Sequence, residues 1–340
     1  MNKHKILDID SSPHIKSGAS VEAIMRNVVY ALLPVAAFAV YSYGLAAIAV
    51  LLTAVISCVA AEHVLAKKFN QASTVGDWSA VITGLLYGLT LPPGLPLWMV
   101  FIGGVIGLAL GKFLFGGLGC NVFNPALVGR AFLQAAFPAS LTTWPAAFTA
   151  ERFTSLPSST LTLPFLTPVY DGVSGATPLA AMKFNHQSTD SMDLVLGLTS
   201  GSLGETCGVL ILLGGAYLVA RNMMNWRIPI GIFVSVMVLS AVFHGLQPDK
   251  YAGPVFMLFS GGLMLGAVFM ATDMVASPMT NLGCFVYGLL IGVLVVVIRY
   301  WSGLPEGVMY AILFMNAVSP HIDRFIQPVV FGTGRRVRKH

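Results

Sequence analysis

Apolar residues run along this chain in long blocks, with little of the alternation or one-sided spacing that marks half-buried strands and amphipathic helices. The blocks fall at roughly 27–43, 45–66, 78–92, 96–114, 124–139, 205–221, 228–245, 253–271, 281–300 and 305–321, and each holds few charges. A helix needs about 20 apolar residues to cross the hydrocarbon core of a bilayer. The pattern therefore predicts an all-α polytopic membrane protein of about ten transmembrane helices. The third and fifth blocks are short, which predicts broken or tilted helices buried against their neighbours. Between the fifth and sixth lies one long polar segment, 140–204, rich in Ser and Thr. A connection of that length is functional or disordered. The expected organisation is a segment at 1–26, a first five-helix half at 27–139, the loop at 140–204, a second five-helix half at 205–321 and a basic tail at 322–340.

Composition narrows the class. Of the 340 residues 56% are hydrophobic and 10% charged, whereas soluble domains run near 25% charged. Mean hydropathy is +0.79. No soluble fold has enough interior for that much apolar surface.

Charge placement gives an expected orientation. With the amino terminus in the cytoplasm and the helices alternating, 15 of the 19 Lys and Arg residues fall inside: Lys3, Lys5, Lys16, Arg26, Lys67, Lys68, Lys112, Arg130, Arg221, Arg227, Arg324, Arg335, Arg336, Arg338 and Lys339. Only Arg152, Lys183, Lys250 and Arg299 fall outside. Positive charge marks the cytoplasmic side, so both termini are expected there, in a cell inner membrane, with 140–204 on the exterior. The first apolar block has no cleavage site after a short h-region and reads as a retained helix. A pI near 9.0 does not point to nucleic acid, because no basic face is interleaved with exposed aromatics. Cys58, Cys120, Cys207 and Cys284 are too far apart for a zinc or iron–sulfur site built by this chain alone.

Faint internal similarity points to two halves. Gly84 and Gly88 match Gly262 and Gly266 in spacing, and Gly117–Leu118 with Val122 resemble Gly303–Leu304 with Val308. An odd number of helices per half makes such repeats inverted.

Asp171-Gly-Val-Ser174-Gly175-Ala176-Thr177-Pro178 is the most informative stretch. Locally it reads as a turn followed by a helix start, with Thr177 as N-cap and Pro178 in the first helical position. A phosphate esterified to Thr177 would sit at a helix N-terminus, which favours anions. Gly175 and Ala176 leave the hydroxyl accessible to a modifying enzyme. The stretch resembles the flavinylation motif Asp-x-x-Ser-Gly-Ala-Thr of the family that holds the D subunit of the Rnf electron-transport complex and the B subunit of the sodium-translocating NADH:quinone reductase. Asp171, Ser174, Gly175, Ala176 and Thr177 match it.

Further stretches carry the resemblance from about residue 11 to about residue 325. They are Ser11-Ser12-Pro13-His14, Ile24-Met25-Arg26, Asp77-Trp78-Ser79-Ala80, Phe115-Gly-Gly-Leu-Gly119, Asn121-Val-Phe-Asn-Pro-Ala-Leu127, Gly201-Ser-Leu-Gly-Glu-Thr206, Ala271-Thr-Asp273 and Pro305-Glu-Gly307. The short N-terminal segment and Ser-Ser-Pro-His favour the Rnf branch. Met274 stands where the pattern has Pro.

The resemblance implies a membrane subunit of an ion-translocating ferredoxin:NAD oxidoreductase complex, incomplete as an enzyme by itself. It implies electron relay through FMN joined to Thr177 by a phosphoester, making the chain a phospho-linked flavoprotein, and coupling to sodium or proton movement. Implied partners are the other members of the complex, an exterior FMN-bearing one among them, and an FAD-dependent flavin transferase, with membrane lipid around the helices. The reductase branch extends the expectation to a second, non-covalent flavin such as riboflavin. The B subunit of the reductase is the alternative within the family. A channel or secondary transporter without a redox group is the alternative of another class.

Other features have plainer readings. A single Asn124-Pro125-Ala126 does not make a water channel, which needs two opposed copies; it reads as a helix start. Asp77, Glu205, Asp273 and Glu306 lie at predicted helix ends, as caps or as acids on an ion path. His63, His244 and His321 show no metal-ligand spacing. Gly103-Gly104, Gly214-Gly215 and Gly261-Gly262 read as points of close helix approach.

Overall fold

The computed structural model describes residues 20–70, 74–164, 166, 168, 177–185, 187, 189–205, 207–248 and 250–328. Among them the regular structure is helical. Helix α1 (Val21–Tyr43) starts at Ser20, whose hydroxyl accepts from the Ala23 N–H at 3.1 Å. It stops at Gly44, where φ is +63°, and this one residue turns the chain back into α2 (Leu45–Lys68). A Cβ at Gly44 would strike the Arg152 carbonyl, so the tight reversal depends on glycine.

Helix α3 (Ser79–Leu89) ends before Pro92, Pro93 and Pro96, which cannot continue it. Helix α4 (Leu97–Gly111) follows, and then α5 (Pro125–Ala136). As the Asn-Pro-Ala reading expects, the Asn124 side chain accepts from the Ala126 N–H at 3.0 Å and Pro125 opens α5. Helix α6 (Pro178–Asn185) lies in the long connection. Short helical turns at Pro138–Leu141 and Ser191–Leu196 lie on either side of α6 along the chain, and α7 (Gly208–Ala220), α8 (Arg227–Leu246), α9 (Pro254–Phe259), α10 (Asn281–Trp301) and α11 (Val308–Phe325) follow.

Helical segments thus fall in each of the ten apolar blocks, within a few residues of the expected limits. Among the described residues five are long and apolar enough to cross a membrane: α1, α2, the stretch Leu97–Phe115, α8 and α10. Large apolar side chains on their outer faces are exposed, among them Leu52, Ile56 and Val238, a surface suited to lipid. Phe243, Tyr251, Tyr300 and Trp301 cluster at the end of the bundle away from the start of α1, as aromatic residues do at a membrane interface.

One block departs from expectation. The 253–271 stretch is not a single helix but breaks at Ser260–Gly262, where Gly261 has φ +65°, and resumes through a π-helical turn at Gly266–Met270. Gly261 therefore supplies a backbone conformation rather than a flat packing face. Close approach does occur at the other two pairs, where a Cβ on Gly104 would strike Ser57 Oγ and one on Gly214 would stand 2.8 Å from the Ala31 carbonyl oxygen, and at further glycines. Along the α8–α10 contact, a Cβ on Gly231 would stand 2.8 Å from the Phe285 carbonyl oxygen, and one on Gly288 would meet the Ile228 backbone.

Replacing Gly288 with Val should force α8 and α10 apart and lower stability by at least ~1–3 kcal/mol, the range for overpacking a close contact. The unfolding temperature of the detergent-solubilised protein should fall, and an unchanged one would contradict this packing.

Candidate functional site

Thr177 stands immediately before α6. Its carbonyl accepts from the Ala181 N–H at 2.9 Å and its Oγ1 accepts from the Ala180 N–H at 3.3 Å, the N-cap arrangement that the sequence leads one to expect. Asp171, Ser174, Gly175 and Ala176 lie outside the described residues. Thr177 is only 7% exposed, less open than the small residues before it suggest. Helix α6 itself lies against the bundle. Leu179, Met182 and Lys183, spaced to share one helix face, line a cavity with Phe256, Arg299 and Tyr300. Partial burial lowers the pKa of the Lys183 ammonium.

Beneath α6 the break at Ser260–Gly262 gathers buried charge. Arg299 donates to the carbonyls of Met257 (2.6 Å) and Ser260 (2.9 Å) and pairs with Glu306 Oε1 at 3.3 Å. Glu306 also accepts from the N–H groups of Gly262 (2.9 Å), Gly307 (3.1 Å) and Val308 (3.3 Å), which opens α11. Glu205 lies beside Gly201 and Gly262, facing the same break. Arg130, on α5, acts on both carboxylates and lines a small space with Glu306, Thr90 and Ser202.

The other two sequence-predicted acids are at the opposite end of the bundle. Asp77 Oδ1 accepts from the Ser79 N–H at 2.9 Å and starts α3. Asp273 accepts from the Val275 N–H and from the Asn121 amide, each at 3.1 Å. Burial raises the Asp273 pKa, and these two donors oppose the rise. Asp273, Asn121, Asn124, Thr83 and Lys112 form the polar side of a cavity of about 150 Å³ whose other walls include Ile82, Leu86, Leu118 and Phe269.

Two of the cations counted from sequence, Lys112 and Arg130, are buried within the bundle rather than exposed. The Lys112 Nζ donates to Glu62 Oε1 at 2.7 Å and to Ser79 Oγ at 3.0 Å, and the Thr74 hydroxyl donates to the same Glu62 oxygen. The signal was present in the sequence, since a charge inside an apolar block is paired or functional more often than it is solvated.

Residues 8–332 match the model of the NQR2, RnfD, RnfE family. The chain belongs to that family. Its similar relatives include the D subunit of the proton-translocating ferredoxin:NAD(+) oxidoreductase complex of Clostridium ljungdahlii, 41% identical over 98% of each chain. The D subunit of the Na(+)-translocating complex of Acetobacterium woodii is 39% identical over 96% of this chain and 95% of its own. The D subunit of an ion-translocating oxidoreductase complex of Stutzerimonas stutzeri is 39% identical over 94% of both. In this member of the NQR2, RnfD, RnfE family the four acids thus divide into two half-buried groups, one near the break after α9 and one at the far end.

Breaking the buried Glu62–Lys112 pair by Glu62→Gln or Lys112→Met alone should destabilise the protein by about 3–5 kcal/mol, because the remaining group is left unpaired. The double variant should recover most of that loss. Additive losses in thermal unfolding would show that the two groups do not act as a pair.

Proposed function

We propose that this chain is the D subunit of an ion-translocating ferredoxin:NAD oxidoreductase complex, carrying FMN as a phosphoester on Thr177. The observation that carries the reading is the end-to-end likeness to a D subunit named for such a complex, 41% identical over 98% of both chains. FMN, when bound, supplies reversible electron transfer. Thr177 supplies the oxygen that holds it. As the N-cap of α6, Thr177 puts the phosphate where a helix N-terminus favours negative charge. Since Thr177 is 7% exposed, a flavin transferase acts before α6 docks or after it lifts. Asp171, Ser174, Gly175 and Ala176 form the segment the transferase reads.

The finer architecture belongs to the same reading: ten helices crossing the inner membrane in two inverted halves, both termini cytoplasmic and 140–204 exterior. Helical segments in all ten blocks support it. The reading extends to a second, non-covalent flavin, although the cavity edged by Asn121, Asn124 and Asp273, at about 150 Å³, is smaller than the roughly 300–1,000 Å³ of a usual cofactor pocket. Of the four acids, Glu306 and Asp77 serve helix starts. Glu205 and Asp273 are the better candidates for a sodium or proton path.

Thr177→Ala should abolish covalent flavin fluorescence in a denaturing gel while the protein still inserts. Thr177→Ser should retain part of it. Undiminished fluorescence in Thr177→Ala would sink the assignment. The chain purified alone, with its flavin, should not transfer electrons from ferredoxin to NAD, and appreciable turnover without other subunits would show it to be a complete enzyme.

A further inference from the structure

Lys183 lies six residues beyond Thr177 on α6, about 9 Å along the helix axis at the usual rise per residue. Its Nζ stands 2.8 Å from the carbonyl oxygen of Arg299, 2.5 Å from that of Ser302 and 2.8 Å from that of Leu304. An ammonium has three donors and no acceptor, so its capacity is filled. The acceptors are at the end of α10 and just beyond it, where carbonyls lack a helical partner. The C-terminus of this 21-residue helix is also the negative end of its dipole. The Ser302 hydroxyl accepts from the Leu304 N–H at 3.1 Å and shapes the turn that presents them.

Helix α6 has eight residues, too few to be stable by itself. Its place is therefore set by what it docks on. Leu179 and Met182 give apolar contact, which is non-directional and tolerates sliding or rotation. The three bonds from Lys183 are directional and define one register. We propose, on the reading that Thr177 carries FMN, that Lys183 is the positioning residue for that flavin, clamping α6 to the end of α10 and so fixing the point of attachment. The clamp also accounts for a lysine on the side of the membrane where the charge rule disfavours one.

The test uses the complete complex, produced with its flavin transferase, as wild type, Lys183→Met and Lys183→Arg. Methionine keeps a long apolar stem and removes the donors; arginine retains charge and donors. Hydrogen exchange of the peptide covering residues 178–185 reads docking without reference to flavin. Exchange should be roughly tenfold faster in Lys183→Met, as expected when a local opening becomes easier, and largely restored in Lys183→Arg. Flavin fluorescence anisotropy and the rate of flavin reduction read positioning. In Lys183→Met the anisotropy should fall and reduction should slow roughly tenfold or more, since small misplacements carry large rate losses, with covalent flavin undiminished in a denaturing gel. Wild-type exchange and reduction rates in Lys183→Met would overturn the proposal. So would loss of covalent flavin in that variant alone, which would make Lys183 part of transferase recognition. Absence of covalent flavin from the wild type would instead overturn the reading of Thr177, and faster exchange in Lys183→Met would then leave Lys183 a docking residue with no flavin to position.

Discussion

A backbone group released where a helix ends or breaks inside an apolar bundle has no water to turn to, and leaving it unsatisfied costs several kcal/mol. This structure meets that constraint with side chains from other elements. Arg299 takes the Met257 and Ser260 carbonyls at the break after α9, and Glu306 takes the Gly262 N–H on the other side of it. Lys183 closes the end of α10. Arg152 Nε donates to the Tyr41 carbonyl at 3.0 Å, near the end of α1, and its guanidinium lies 5.4 Å from the Tyr41 ring centroid. The Asn124 amide donates to the Met270 carbonyl at 3.2 Å, where the π-helical turn ends. Three of the four cations that the charge rule leaves on the exterior side are thus engaged with carbonyls at helix ends.

Other bonds to helix ends and loops tie the amino-terminal helices to the carboxy-terminal ones. The loop after α3 receives the Gly204 N–H at Leu89 O (2.6 Å) and the Leu203 N–H at Leu91 O (3.1 Å), while Tyr43 Oη bonds to the Gly201 backbone. Asn121 reaches Asp273 at the other end. Helix α6 joins this network through Lys183 and through Leu179, which lies against Gly261. The residue proposed to carry the flavin is therefore held by the groups that satisfy the broken helix beneath it. A change at the break is expected to be felt at Thr177 without any direct contact.

What was legible in the sequence was local. The apolar blocks marked the helices because each block needs only its own residues to be read. Asn124–Pro125 and Thr177–Pro178 marked helix starts because a cap and its N–H partners lie within four residues. The break at Ser260–Gly262 was not legible, because a glycine pair looks the same whether it admits a neighbouring helix or adopts a positive φ. The place of Lys112 and Arg130 inside apolar blocks signalled their burial, but not their partners, which are distant in sequence: Glu62 lies 50 residues from Lys112. The convergence of Glu205 and Glu306 likewise depends on how α11 and the segment before α7 pack. The burial of Thr177 was not legible either, because small neighbours in sequence do not say what covers a residue in the fold.

The central claim is that Thr177 is the attachment point of a flavin phosphate. Mass spectrometry of the peptide containing Thr177, from protein produced with its transferase, tests it most directly. The account predicts a peptide heavier by one FMN less one water, with fragments that assign the addition to Thr177 and to no other residue. An unmodified peptide, or an addition assigned to Ser174, would contradict it.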